Sequence, residues 1–334
     1  MFKRITLVFT IILTGMILSI IFCQNVTIKS EHNTYGFKNK TLNDFNFAAV
    51  GDWGCTADTQ NTLKNIIKED PQLILGLGDY SYEKNAKCWL QIIKPIDTKM
   101  RIVIGNHDHE IYTNGSANYS SYTSLRQYMT HFNLTKQYYS FDYQNVHFVA
   151  MSTEVPFGPG SNQYNFVKKD LGKAALDPNI DWIVVFYHRV AYTSPVHPGS
   201  NSNLQVRDTF HPLFGKYGVD LVIQGHIHTY QRSYPIQYNL EDSFKPIIME
   251  NGTNNYVDPK GQIFTIVGTG GVSEPHNLVG DPRPYIAIQF NAFGFLEINV
   301  IHNGTKLVGE FHENNGTIRD HFSITKPDSK DVRK

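Results

Sequence analysis

Short apolar runs of strand length recur along the chain, at residues 45–50, 73–77, 101–104, 182–186 and 221–223. They are rich in β-branched and aliphatic side chains, the composition that suits a buried strand. Between the first two runs the period changes. In 56–68, Leu63, Ile66 and Ile67 fall at i, i+3 and i+4, one face of a helix, with Thr56 or Asp58 placed to cap it. Residues 89–93, 121–131, 165–176 and 205–217 carry further helical patterns. Residues 138–142 and 146–151 read as a hairpin. Segments 262–267, 293–300, 306–313 and 317–324 read as strands joined by Asn-Gly turns. Alternating βα units with added β-meanders predict an α/β fold of two packed sheets with helices outside. No linker-like stretch divides the middle, so 44–326 reads as one domain, preceded by a polar spacer (24–43) and followed by a charged tail (327–334).

Composition narrows the classes. With 41% hydrophobic and 13% aromatic residues the chain can bury a large core, which excludes wholesale disorder. Thirty Lys and Arg balance thirty Asp and Glu, so there is no excess of positive charge to displace counterions from nucleic acid. At the N-terminus, Lys3 and Arg4 precede an uncharged apolar stretch, residues 5–22. Residues 1–23 therefore read as a cleaved secretory signal or a retained membrane anchor, and either one exports the remainder. Asn-x-Ser/Thr sites at Asn25, Asn39, Asn114, Asn118, Asn133, Asn251, Asn303 and Asn315 agree with a glycosylated, extracytoplasmic surface. Beyond Cys23 the only thiols are Cys55 and Cys88. An oxidising compartment allows a disulfide between them, whereas a metal-binding pair lacks the usual close spacing.

The residues at the ends of the five apolar runs are more informative than the runs themselves. The first run leads into Gly51-Asp52-Trp53-Gly54, the second into Gly78-Asp79-Tyr80-Ser81-Tyr82 and the third into Gly105-Asn106-His107-Asp108. The fourth ends at His188 and the fifth in Gly225-His226-Ile227-His228. Glycine lets a chain turn sharply beside a ligand, and strand carboxyl ends converge on one side of an α/β sheet. A Gly-Asp pair or a lone histidine is commonplace. Five oxygen and nitrogen donors delivered in order to one crevice instead predict a dinuclear metal centre.

The same residues carry a resemblance. The set GDxG, GDxxY, GNH(D/E), VxxH and GHxH, here Asp52, Asp79 with Tyr82, Asn106 with His107, Val185 to His188, and His226 with His228, resembles the purple acid phosphatases. These are a branch of the calcineurin-like metallophosphoesterases, and the small single-domain, tartrate-resistant type fits best. The likeness runs from about residue 45 to 324 and takes in the 138–153 hairpin and the Val267-Gly-Thr-Gly-Gly271 segment. It implies a four-layer sandwich of two mixed β-sheets flanked by helices. It also implies an Fe(III) held by Asp52, Tyr82, His228 and a bridging Asp79, with a divalent iron, zinc or manganese on Asp79, Asn106, His188 and His226. Hard carboxylate and phenolate oxygens suit a trivalent ion, and an amide with two imidazoles suits a divalent one.

The implied activity is an exported acid phosphatase in which a metal-held hydroxide attacks small phosphate esters or a phosphoprotein. His107, beside the ligand Asn106, and His197, nine residues after His188, are the candidates to protonate the leaving alcohol or hold phosphate. Asp108 joins this catalytic set in a role that orients the loop, as does His109. Tyr230 and Arg232 follow the last motif, and Arg232 reads equally as a substrate contact or a structural ion pair. His147, His211 and His321 read as ordinary strand and helix residues. Two other functions stay open: a metallophosphoesterase for diesters or nucleotides with another metal pair, and a non-catalytic surface protein.

Overall fold

The computed structural model describes residues 43–109, 112–113, 120–121, 123–197, 203–252, 254–273 and 276–327. The signal or anchor expected at 1–23, nearly all of the 24–43 spacer, residues 328–334 of the tail, and Asn25, Asn39, Asn114 and Asn118 lie outside them. Among the described residues no helix is long and apolar enough to cross a membrane.

Fourteen strands build two seven-stranded sheets. They are β1 (Phe45–Val50), β2 (Leu73–Gly76), β3 (Met100–Ile102), β4 (Tyr139–Tyr143), β5 (Val146–Ala150), β6 (Trp182–Tyr187) and β7 (Leu221–Gln224). Next come β8 (Tyr230–Ser233), β9 (Asn255–Val257), β10 (Ile263–Val267), β11 (Ile286–Phe290), β12 (Gly294–Ile301), β13 (Lys306–Glu313) and β14 (Ile318–Thr325). The first sheet runs β9-β14-β13-β12-β1-β2-β3 and the second β11-β8-β10-β7-β6-β5-β4. Each is mixed. β1 is parallel to β2 and antiparallel to β12, and β7 is parallel to β6 and β10 while β8 runs antiparallel to β10. The fold is thus the α/β two-sheet architecture expected.

The side-chain period of two explains the layers. On β6, Trp182, Val184 and Phe186 join the core shared with Phe47, Ile74 and Leu296 of the first sheet. Ile183, Val185 and Tyr187 point the other way, onto Val167, Leu171, Phe210 and Phe214 of the outer helices. A strand buried on both faces reads as a continuous apolar run, which is why periodicity alone does not reveal its two sides. Those helices are α4 (Asn162–Ala174) and α5 (Leu204–Tyr217), following α1 (Ala57–Glu69), α2 (Lys87–Ile92) and α3 (Thr123–His131). Thr56 caps α1 by accepting the Thr59 N–H at 3.1 Å, as its position predicts. α4 starts three residues earlier than its apolar pattern, because Ser161 accepts the Tyr164 N–H at 3.1 Å. Cys55, before α1, and Cys88, in α2, form a disulfide.

Candidate metal centre

Both sheets contribute to one site. β1, β2 and β3 of the first deliver the loops bearing Asp52, Asp79 with Tyr82, and Asn106 with His107. β6 and β7 of the second deliver His188 and the 226–228 loop. The loops cross-brace: Asp52 N–H donates to the Gly78 carbonyl at 3.0 Å, and Gly225 N–H to the His188 carbonyl at 3.1 Å.

Two groups of donors result. In one, Tyr82 Oη lies 3.2 Å from Asp52 Oδ1 and 3.0 Å from His228 Nε2, with His228 Nε2 3.4 Å from Asp52 Oδ1. In the other, His188 Nε2 lies 3.1 Å from Asp79 Oδ2 and 3.2 Å from Asn106 Oδ1. Donor atoms of Asp79, His188 and His226 all fall within 4.8 Å of one another. All seven predicted ligands are brought together.

The backbone is strained there. Asp52, Asp79, Tyr82 and His226 have φ of 57°, 53°, 54° and 70°. The left-handed region costs an L-residue about 1–2 kcal/mol, and such strain gathers where function demands a fixed direction. Space is equally tight: a Cβ on Gly105 would collide with Asp79 Oδ1, and one on Gly225 would sit 2.8 Å from Asp52 Oδ2.

The donor set fits a pair of cations. Asp52, Asp79 and His188 are essentially inaccessible, while Asn106, His107, His226 and His228 are partly exposed, so the site opens on one side. Burial and then the Asp52 carboxylate hold the Tyr82 phenol well above its ordinary pKa. Burial would raise the Asp79 carboxyl, but the charge and hydrogen bond of His188, together with the charge and main-chain N–H of His107, outweigh it and keep Asp79 well below the usual range. Reciprocally, burial would lower His188, and Asp79 lifts it to about 10. Burial, followed by the charge of His188, pushes His226 down to about 3. Protons on Tyr82 and His188 thus occupy positions where cations would replace them, and His226 stays neutral, the form in which imidazole binds metal.

Orientation comes from the surroundings. His188 Nδ1 donates to the Leu77 carbonyl at 2.8 Å, leaving Nε2 to face the donors. Asp108 is buried beneath Asp79. Its Oδ2 accepts the Asp79 and Gly105 N–H groups at 2.7 and 2.9 Å, and its Oδ1 accepts the Tyr80 N–H at 2.9 Å. Its carboxylate thus ties together the main chain of the Asp79 and Asn106 loops. His107 donates its main-chain N–H to Asp79 Oδ1 at 2.8 Å and sets its ring 4.6 Å from that of Tyr82. His109 N–H donates to the Asn106 carbonyl at 3.2 Å. His197 is exposed on the short strand Val196–His197, paired with Asn277–Leu278.

Arg232 is structural, since it is buried against Asp320 with Nε–Oδ2 at 2.6 Å. His147 bonds Asp142 and Asp170, and His211 is buried between Tyr192 and Gln262. His276, absent from every motif, stacks on His228 at 4.1 Å. No local signal marks it, because it lies 48 residues from its partner. A separate cleft of about 580 Å³, lined by Met129, Lys136, Tyr138 and Ser161 among others, contains none of the ligands.

The calcineurin-like phosphoesterase profile matches residues 45–230, more than half of the chain. The chain belongs to that family. Among curated relatives of this phosphoesterase, Purple acid phosphatase 22 of Arabidopsis thaliana is 30% identical over 281 residues, covering 80% of this chain and 60% of its own length. Purple acid phosphatase 21 of the same plant is 30% identical over 299 residues, covering 84% and 63%. The purple acid phosphatase PPD1 from yellow lupin seeds shares the fold, with a TM-score of 0.73, 24% identity and 87% of this chain covered against 55% of its own. This calcineurin-like phosphoesterase thus spans about 60% of the length of the curated relatives it matches.

Proposed function

We propose that the protein is an exported acid phosphatase that hydrolyses phosphomonoesters at a two-metal centre. The observation that carries this reading is the convergence of Asp52, Tyr82 and His228 beside Asp79, Asn106, His188 and His226, with four of the seven held in left-handed backbone. Asp52, Tyr82 and His228 would hold Fe(III), Asn106, His188 and His226 a divalent iron, zinc or manganese, and Asp79 would bridge. Bound there, the ions would supply the Lewis acidity that activates water and stabilises the charge of phosphoryl transfer.

The chain's own residues supply the rest. His107, tethered to Asp79 through its N–H and partly exposed, would contact the phosphate or protonate the leaving alcohol. His197, on the short two-stranded ribbon with Asn277–Leu278, is a second candidate. The names of the relatives favour monoesters, and the phenolate donor favours a trivalent ion. Export is supported by the apolar segment 5–22, by the disulfide, and by the exposure of the sequons at Asn133, Asn251, Asn303 and Asn315.

The test is the visible spectrum of iron-loaded protein beside Tyr82→Phe, with rates on aryl monoesters and bis-aryl diesters. Phenolate-to-iron charge transfer should colour the wild type and vanish in the variant, and Asp79→Asn should nearly abolish turnover. A colourless protein that holds two metals, or a diester preference, would move the assignment elsewhere within the family.

A further inference from the structure

Three histidines of the site are oriented by different means. His188 is fixed through its far nitrogen, bonded to the Leu77 carbonyl. His226 donates its main-chain N–H to Asp52 Oδ2 at 2.8 Å. His228 is held by His276. Its main-chain N–H donates to His276 Nδ1 at 3.0 Å, and the rings lie 4.1 Å apart and within 15° of parallel. An accepting Nδ1 carries no proton, so His276 is the Nε2–H tautomer. A flat ring against one face of His228 resists rotation about its Cβ–Cγ bond, and the main-chain bond resists lifting of the loop. Together they keep His228 Nε2 on Tyr82 Oη and Asp52 Oδ1.

His276 is itself anchored. Its carbonyl accepts from Asn291 Nδ2 at 3.0 Å. The next two residues form a ribbon with the strand bearing His197: Asn277 faces His197, Leu278 faces Val196, and Val279 N–H donates to the Pro195 carbonyl at 3.1 Å. Val196 and Leu278 pack with Val190, Ile266 and Ile227, the residue between His226 and His228. The ribbon therefore rests on the ligand loop, with His197 on one strand and His276 immediately before the other.

We propose that His276 is a positioning residue for the iron-side ligand His228, and that the ribbon couples the placement of His197 to it. The proposal rests on the metal assignment above. Its test separates the two contacts: His276→Ala removes both, His276→Phe keeps the stacked ring, and His276→Asn keeps an acceptor. With iron loaded, His276→Ala should shift and broaden the tyrosinate-to-iron band. It should also weaken iron retention against a chelator by about 10- to 100-fold, the usual effect of removing a partner that orients a ligand. His276→Phe and His276→Asn should each recover part of the loss. Circular dichroism checks folding, and if His276→Ala does not fold the other two variants carry the test. A coloured wild type whose variants keep the same band and the same iron retention would overturn the proposal. A colourless wild type would instead overturn the metal assignment beneath it.

Discussion

Removing the Asp320 carboxylate tests what holds the two sheets together. Arg232 lies on β8 of the second sheet and Asp320 on β14 of the first, with side chains 0% and 1% exposed. The pair is bidentate, with Nε–Oδ2 at 2.6 Å and Nη2–Oδ1 at 2.9 Å. Tyr230 donates to the same carboxylate at 2.7 Å, Asn254 accepts from Nη2 at 3.1 Å, and the Phe322 ring lies 4.7 Å from the guanidinium. In Asp320→Ala the guanidinium stays buried without its counter-charge, which costs about 3–5 kcal/mol. The Tyr230 hydroxyl also loses its acceptor, an effect of about 1–3 kcal/mol that overlaps with the first. A net loss of about 4 kcal/mol in a domain of roughly 280 residues lowers Tm by about 7 °C, since the unfolding entropy is about 0.6 kcal/mol/K. Replacing both partners, Arg232→Met with Asp320→Leu, should recover most of the loss and leave about 1–3 kcal/mol, because neither charge then needs water while the Tyr230 hydroxyl still lacks its acceptor. Thermal and urea unfolding measure both variants. A loss below about 1 kcal/mol in the single variant, or a double variant as unstable as the single one, would refute the coupled inter-sheet clamp. KM at a permissive temperature should not move in the double variant, since neither side chain belongs to the metal centre.

Other perturbations probe the same geometry. Reducing the Cys55–Cys88 bond, or replacing both with serine, should lower stability by about 3–4 kcal/mol for a loop of this length; identical unfolding curves with and without reductant would count against it. Burial alone would lower the pKa of His147, but hydrogen bonds to Asp170 and Asp142 outweigh it and raise the group above its ordinary value. Its stabilisation is therefore complete below the unfolded pKa of about 6.5 and disappears as pH rises through the folded pKa. The gap in urea midpoint between wild type and His147→Asn should narrow from pH 5 to pH 9, and a constant gap would contradict this. Asp108→Asn should cost about 1–3 kcal/mol, because the amide sets a donor against main-chain N–H groups. Metals bound per chain should fall with it, and unchanged metal content and stability would show that the loops hold without the carboxylate.

The chain's sequence was enough to mark the seven candidate donors, because the signals are local: an apolar run that ends in a donor, behind a glycine in four of the five cases. The same locality made the Thr56 cap readable and the strands of the β12–β14 meander visible from their Asn-Gly turns. It failed for β8 and β11. Tyr230-Gln231-Arg232-Ser233 is a polar segment buried along its whole length, stabilised by a carboxylate 88 residues away.

Only the tertiary structure decided which sheet each ligand loop belongs to. The crevice lies at the meeting of two sheets, three loops from one and two from the other, and strand pairing across long stretches of chain determines that. Nor could residue order show that Arg232 faces Asp320 instead of substrate, or that His276 lies flat on His228. Left-handed backbone at four non-glycine ligands is likewise invisible in sequence, since local preference opposes it and only the surrounding packing holds it in place.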